Sequence, residues 1–514
     1  MADSASAAVR SSFKSEVDSD ELRRRRETER LGTDPIVPLV LRLSLPAMTG
    51  LLVSSLYVFV DRVFVGRYVG EVGLAAMNVA IPFSTLVFSF SILVGRGCSV
   101  IYSIALGRKD YAEARRIFSG GVFLHMIVSL FIMVFCQVFL NRLLNVFGAE
   151  PQSIDATRRY VSIVLLGTPF AMLTMHNHLI RAEGASTYSM MTQVTGALLN
   201  VILDWVFMAH FRWGIGGAAF ATVIAQAVSV IMVMWFFMKR SVVRFRVADM
   251  IFSARMLWLV LINGFTPFIF NAAATLNWTI QNHMIKRHAE KSGFSVTTAM
   301  AAFGIVMSLR MLIMTPILGL SMGMQPLVGY NYGSGQYARM RNIFKFSVLT
   351  AFLLMLIPYG VLEIFSYPVV RFFGAENDTL VLGVYTLRRF MLLMPLGGIA
   401  AMFSHFFQGT GKPVEALVVT GVRQVVLAFP FLIILPYFLG YDGIVFATPI
   451  AEVGGAIFGV FVILREFRRL RVKENEMDLL KSPMIESEHR LTCSADDESG
   501  STAGDCMEEV ADVV

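Results

Sequence analysis

The sequence predicts an all-α membrane protein whose twelve transmembrane helices form two six-helix lobes related by a parallel internal repeat. Three observations predict this. The chain of 514 residues is 55% hydrophobic and 16% charged, with a mean hydropathy of +0.63, outside the range of ordinary soluble domains. Apolar runs long enough to cross a bilayer recur along its length. The second half of the chain repeats motifs of the first in the same order.

Each long apolar run must be helical, because backbone polar groups have no water to bond in lipid and about 20 apolar residues cross the hydrocarbon layer. Before the first run lies a polar leader, residues 1–36, with no hydrophobic stretch beside a small-residue cleavage site. It is expected to be a disordered cytosolic tail and not a signal peptide. The first lobe, 37–240, contains runs at 37–66, 72–106, 111–141, 155–180, 186–209 and 214–239. A cytosolic linker, 241–252, leads to the second lobe, 253–470, with runs at 253–286, 294–331, 337–371, 379–407, 413–436 and 442–467. The polar, acidic stretch 471–514 has few large apolar residues and is expected to be a disordered cytosolic tail.

Lysine and arginine set the orientation. Arg108, Lys109, Arg115, Arg116, Lys239, Arg240, Arg244, Arg246 and Arg255 gather in connections on the side of both termini, which are also flanked by Arg23–Arg26 and Arg465–Arg471. Both termini are therefore expected in the cytosol, with the bundle in the plasma membrane or an intracellular organelle membrane.

Sliding the chain so that Gly107 meets Gly333 aligns GRKDYAEARRIF with GSGQYARMRNIF, VFGAE with FFGAE, Pro169 with Pro395, and AFATVIAQ with VFATPIAE. One duplicated unit of six helices accounts for all four matches. Six is even, so the halves enter the membrane in the same orientation, around a cavity between them. Proline punctuates many helices, at Pro82, Pro169, Pro267, Pro316, Pro395 and Pro449, and such positions let a gating bundle bend.

Within TGALLNVILDWVFM, Asp204 sits in a segment otherwise suited to oil, and Asp61 occupies a similar place in SLYVFVDRVFVG. A carboxylate at a helix centre costs roughly 2.5–3.5 kcal/mol on insertion scales, so each needs a reason. At about 1.5 Å per residue, Asp61, Asp204 and Thr222 fall at similar depth in the outer part of the bilayer, with Asn200 and Tyr57 one turn deeper on the faces of Asp204 and Asp61. Carboxylate, amide and hydroxyl oxygens together suit a hard cation or a proton. Single polar residues near helix ends also snorkel or bond a neighbouring helix, and taken alone each residue fits that reading equally well. The duplication favours ion coupling: Asp204 meets Pro430, Asn200 meets Val426, and, with Pro46 set against Pro267, Asp61 meets Asn282. Only one lobe kept its acids, whereas a residue needed for packing the shared fold would appear twice.

In the second lobe, Arg423 and Glu452 both reach mid-membrane and are expected to form a structural ion pair. Thirty methionines and 42 phenylalanines suit an adaptable cavity, or simply lipid contact. The net charge of +7 is dispersed in loops, so nucleic acid is not an expected partner. Cys98, Cys136, Cys493 and Cys506 have no ligand-like spacing, and neither a disulfide framework nor a structural metal is expected. With no nucleotide loop or nucleophile beside a base, the chain does not read as an enzyme, and no cofactor is expected.

VDRVFVGRYVGEVGLAAMNVAIP, IRAEGASTYSMMTQVTGALLNVILDWVF, GIGGAAFATVIAQ and GMQPLVGYNYGSGQYARMR resemble the multidrug and toxic compound extrusion (MATE) transporters, especially their prokaryotic-type, DinF-like branch. The resemblance runs from about Leu41 to Leu470 and implies the MATE-type fold, working as a monomer that exports organic, often cationic, compounds in exchange for H⁺ or Na⁺. It implies an N-lobe cation and proton site at Asp61, Asn200, Asp204 and Thr222, where Na⁺ would bind transiently, and substrate-cavity positions at Tyr57 and Asn177. Acids used by another branch in helices 7 and 10 are missing here. A lipid-linked oligosaccharide flippase of related architecture would want a basic cavity, against the acidic first lobe. A membrane receptor or scaffold would have no evident use for two equivalent lobes.

Overall fold

The computed structural model describes residues 24–147, 154–244, 246–250, 253–373 and 377–480. Helices dominate, at the positions the apolar runs predict. In the first lobe they are α1 (Ile36–Tyr68), α2 (Glu71–Gly107), α3 (Tyr111–Val138), α4 (Ile154–Leu166 and Thr168–Ala182), α5 (Ser186–Asp204, prolonged by a π-helical turn Trp205–His210) and α6 (Ile215–Lys239). In the second they are α7 (Ala254–His288), α8 (Val296–Gly333), α9 (Tyr337–Phe372), α10 (Asn377–Met391 and Met394–Gly409), α11 (Pro413–Leu439, interrupted by a π-helical turn Val422–Leu427) and α12 (Tyr441–Leu480). Among the described residues, ten helices are individually long and apolar enough to span a membrane, and α4 and α10 complete twelve when each bent pair counts as one span.

Local chemistry starts and stops these helices. The Asp110, Ser253 and Ser295 side chains accept from the backbone N–H of Glu113, Met256 and Thr298, satisfying amides that the first turn leaves open. α4 and α10 bend by 51° and 49° at matched places, with Pro169 and Pro395 opening the second segment of each; the proline ring fixes its φ and offers no N–H to the preceding turn. Gly214 and Gly440, which align in the repeat, precede α6 and α12 with φ of 60° and 59°, a region that glycine enters without strain. The duplication is thus visible in the backbone as well as in the sequence.

Each lobe has its own core. Val65, Phe83, Leu144, Val161, Leu165, Met172 and Ala218 cluster in the first, and Ile285, Phe303, Val306, Leu387, Phe390, Leu432 and Val445 in the second. Between the lobes, α1 packs on α8, and α2 on α7 and α8. Glycines allow the approach: Gly323 faces the backbone of Ser44, Gly319 that of Met48, Gly97 the carbonyl of Val260, and Gly107 the carbonyl of Tyr330. Small residues let helix backbones come close in lipid, where van der Waals contact drives association. The chain divides into compact units at Val460 and Phe461, and all packing described here lies in the first.

Both tails depart from expectation within the described residues. Residues 24–33 are helical, with Thr28 and Leu31 each 2% exposed. Tertiary contacts hold this stretch against both lobes: Lys109 pairs with Glu29 at 2.8 Å, Arg25 lies 4.6 Å over the Tyr111 ring, and the Asn331 amide donates to the Leu31 carbonyl at 3.1 Å. A polar composition therefore concealed an ordered, docked segment. At the other end α12 runs to Leu480, past the expected boundary at 470, because RVKENEMDLL consists mostly of helix formers and meets no proline until Pro483. Residues 1–23 and 481–514, the rest of the two expected tails, lie outside the described residues, as does most of the VFGAE and FFGAE match.

Candidate functional site

α5 presents a continuous buried polar stripe. Ser189, Thr192, Asn200 and Asp204 are all nearly inaccessible, and with Gly196 they recur every three or four residues, the spacing of one helix face. α1 packs along α5 and delivers Asp61, itself 6% exposed. The Asp61 and Asp204 carboxyl groups lie within hydrogen-bonding reach of each other. Among the described residues Oδ1 of each has no partner. The π-helical turn begins directly after Asp204, and such widened turns are frequent at functional sites.

α6 closes the third side. With the Asn200 amide turned to satisfy both of its ends, its nitrogen donates to Asp204 Oδ2 at 3.3 Å and its oxygen accepts from the Thr222 backbone N–H at 3.2 Å. The Thr222 hydroxyl donates to the Ala218 carbonyl at 3.1 Å. Tyr57 on α1 and Tyr160 on α4 lie close enough to interact electrostatically with both carboxyl groups. The four residues expected to couple an ion are therefore brought together, with Tyr57 beside them. Two carboxylates in contact and out of water repel strongly unless a proton or a cation lies between them. Carboxyl, amide and hydroxyl oxygens are also the donors that a hard cation takes.

Asn177 lies elsewhere. Its Oδ1 accepts from the Thr192 hydroxyl at 2.8 Å, three turns from Asp204 or about 18 Å along the helix axis. Nearby, Arg181 donates to Ser189 Oγ at 2.5 Å and contacts His178 at 2.9 Å. Glu183, just past the end of α4, is buried and accepts from the Tyr102 and Ser241 hydroxyls and from the Val242 backbone N–H at 3.2 Å. Burial pushes this carboxyl up to about 7. It ties the start of the inter-lobe linker to α2 and α4.

In the second lobe the equivalent region carries no acid pair among the described residues. Gln281 donates to the hydroxyl of Thr448, the counterpart of Thr222, at 2.7 Å. Arg423 Nη1 contacts both oxygens of Glu452 at 2.7 Å, and Arg310 Nη2 reaches Glu452 Oε1 at 3.4 Å. Sequence reasoning joined Arg423 to Glu452 but did not bring in Arg310, which comes from α8. Tyr160 and Glu183 were also missed: Tyr160 has no periodic signal pointing at Asp61, and Glu183 stood in a quoted motif, IRAEGAS, without a role.

The family model for MatE matches residues 46–206 and 293–434, more than half of the chain and parts of both lobes. Among curated proteins, the chain is 24% identical over 439 residues to a multidrug export protein MepA from Staphylococcus haemolyticus, covering 85% of this chain and 95% of that protein. It is 23% identical over 445 residues to MepA from Staphylococcus aureus, covering 86% and 97%. Among solved structures, a MOP superfamily transporter from Pyrococcus furiosus aligns with a TM-score of 0.78 at 22% identity, covering 86% of this chain and 98% of that one. A MATE-family multidrug resistance transporter in an outward-facing conformation aligns with a TM-score of 0.78 at 23% identity over the same shares.

Proposed function

Since the chain belongs to the MatE family, that of the MATE multidrug efflux transporters, we propose that it is a secondary active antiporter, of the DinF-like branch, exporting organic, chiefly cationic, compounds in exchange for H⁺ or Na⁺. It is an integral membrane protein that handles small molecules. In our reading it works as a monomer with both termini in the cytosol, in the plasma membrane or an organelle membrane, and carries out no catalysis.

One observation carries the coupling: Asp61 and Asp204 are buried in mutual reach, on different helices of one lobe. An incoming proton or Na⁺ relieves their repulsion, and Asn200 and Thr222 add neutral oxygens for a metal ion. A cationic substrate, held beside Tyr57 and along the stripe toward Asn177, competes for the same negative charge. When the inbound ion wins, the site loses its hold on the cation and the lobes change packing. Coupling of this kind needs only that ion and substrate differ in their preference for the two arrangements. The contacts between α1 and α8 and between α2 and α7, where glycines let the backbones approach closely, are suited to such rocking.

The test is transport by the purified protein in proteoliposomes, with an organic dye cation as probe and proton and sodium gradients imposed separately. Dye movement against its own gradient under either ion supports antiport. Movement that only equilibrates the dye, whatever the gradient, would remove the proposal.

A further inference from the structure

The helical segment 24–33 lies across the seam between the lobes. At that seam the ends of α2 and α8 meet in a contact that follows the internal repeat. A Cβ on Gly107 would collide with the Tyr330 carbonyl, and one on Gly333 with the Ile104 carbonyl; Gly333 and Tyr330 are the repeat counterparts of Gly107 and Ile104. The close approaches of Gly323 to Ser44, Gly319 to Met48 and Gly97 to Val260 sit on the same half of their helices. The lobes are therefore shut against each other on the face that carries this segment.

Two prolines make the segment depend on the second lobe. In an α-helix the carbonyl of residue i accepts from the N–H of residue i+4. Pro35 and Pro38 have no N–H to give, which leaves the carbonyls of Leu31 and Asp34 open. Asn331 on α8 donates to the Leu31 carbonyl at 3.1 Å; Arg339 on α9 donates to the Asp34 carbonyl and lies 3.5 Å from that of Leu31. The first lobe holds the other side. Arg24 Nη1 donates to the Ser241 carbonyl at 3.4 Å, the Leu31 side chain covers Gly184, Lys109 pairs with Glu29, and Arg25 stacks on Tyr111.

We propose that residues 24–34 are a clasp that fastens the two lobes on this face and must release the second lobe before the face can open. The segment runs directly into α1 and so travels with the first lobe. The bonds that break are those from Asn331 and Arg339. Their acceptors are backbone carbonyls, which water can serve once the face opens, so release is reversible. That the clasp thereby biases the alternating-access equilibrium rests on the antiport reading; the clasp itself does not.

Ala112 and Ala338 are exposed repeat counterparts at the starts of α3 and α9. Spin labels on Ala112→Cys and Ala338→Cys, in full-length protein whose four native cysteines are replaced by alanine, report the inter-lobe distance on this face by double electron–electron resonance in lipid nanodiscs. With the clasp intact, a short distance dominates. Arg339→Ala raises the ratio of long to short distances by about tenfold or more, the shift expected for one lost charge-assisted hydrogen bond, and deletion of residues 1–33 raises it at least as far. An unchanged ratio in either variant would overturn the proposal. No gradient or substrate enters this measurement, so a protein that merely equilibrates dye would remove the antiport reading and leave the clasp standing.

Discussion

Asp61 and Asp204, separated by most of the first lobe in sequence, turn their carboxyl groups toward each other from α1 and α5, in a site where both are almost fully shielded. Neither forms a described ion pair with a basic side chain within 4 Å. No described basic side chain balances their charge, which is the arrangement the proposed ion coupling requires.

Thr222→Val keeps the shape of the side chain and removes one oxygen from the site. The hydroxyl bonds only the Ala218 carbonyl of its own helix and lies 3.3 Å from the Asn200 amide, so the helix survives its loss. One neutral hydrogen bond or ligand is worth about 0.5–1.5 kcal/mol, so the ion concentration for half-maximal transport should rise by about 2- to 12-fold at unchanged expression. An ion titration of transport rate reads this directly.

Arg423→Met leaves Glu452 buried without its main partner. Removing one member of a buried pair costs about 3–5 kcal/mol, whereas the double variant Arg423→Met/Glu452→Leu should regain most of it, since Arg310, about one-third exposed, can reach water. Thermal unfolding of the four members of the cycle in one detergent measures the coupling. Additive losses would mean that the pair is not a stabilising unit.

Glu183 gives the linker contact a dependence on pH. Its carboxyl is raised from the ordinary 4.5 to about 7 by burial, despite hydrogen bonds from Ser241, Tyr102 and the Val242 backbone that favour the charged form. The folded chain therefore holds this proton more tightly than the unfolded chain. Its contribution to stability is complete below about pH 4.5 and is lost as pH rises through about 7. The melting temperature should decline across that window, and Glu183→Gln, which cannot ionise, should flatten the decline.

Much of this was legible in the chain because lipid is a demanding solvent. Apolar runs had to be helices, and the observed helices begin and end within a few residues of them, apart from the C-terminal extension of α12 to Leu480. Asp61 and Asp204 stood out because acids are rare in such runs, and equal depth brought them together with Thr222, with Asn200 one turn deeper on the face of Asp204. Tyr160 and Arg310 were not legible as partners: each arrives from a separate helix, and only tertiary packing decides which face it turns inward. The segment 24–33 read as a tail because its residues are polar, yet Glu29, Arg25 and the Leu31 carbonyl are held by specific groups on the α2–α3 loop, α3 and α8, which composition does not reveal. Asn177, on α4, meets the α5 stripe at Thr192, three turns from Asp204, a separation fixed by which residue of α5 it meets.

The most direct measurement of the central claim is ion flux driven by substrate. Proteoliposomes containing wild-type protein, given an outward dye gradient and no ion gradient, should take up H⁺ or Na⁺ in step with dye exit. Asp204→Asn, folded and inserted at wild-type levels, should show no coupled uptake of either ion. Ion uptake at the wild-type rate in Asp204→Asn and in Asp61→Asn would contradict the account.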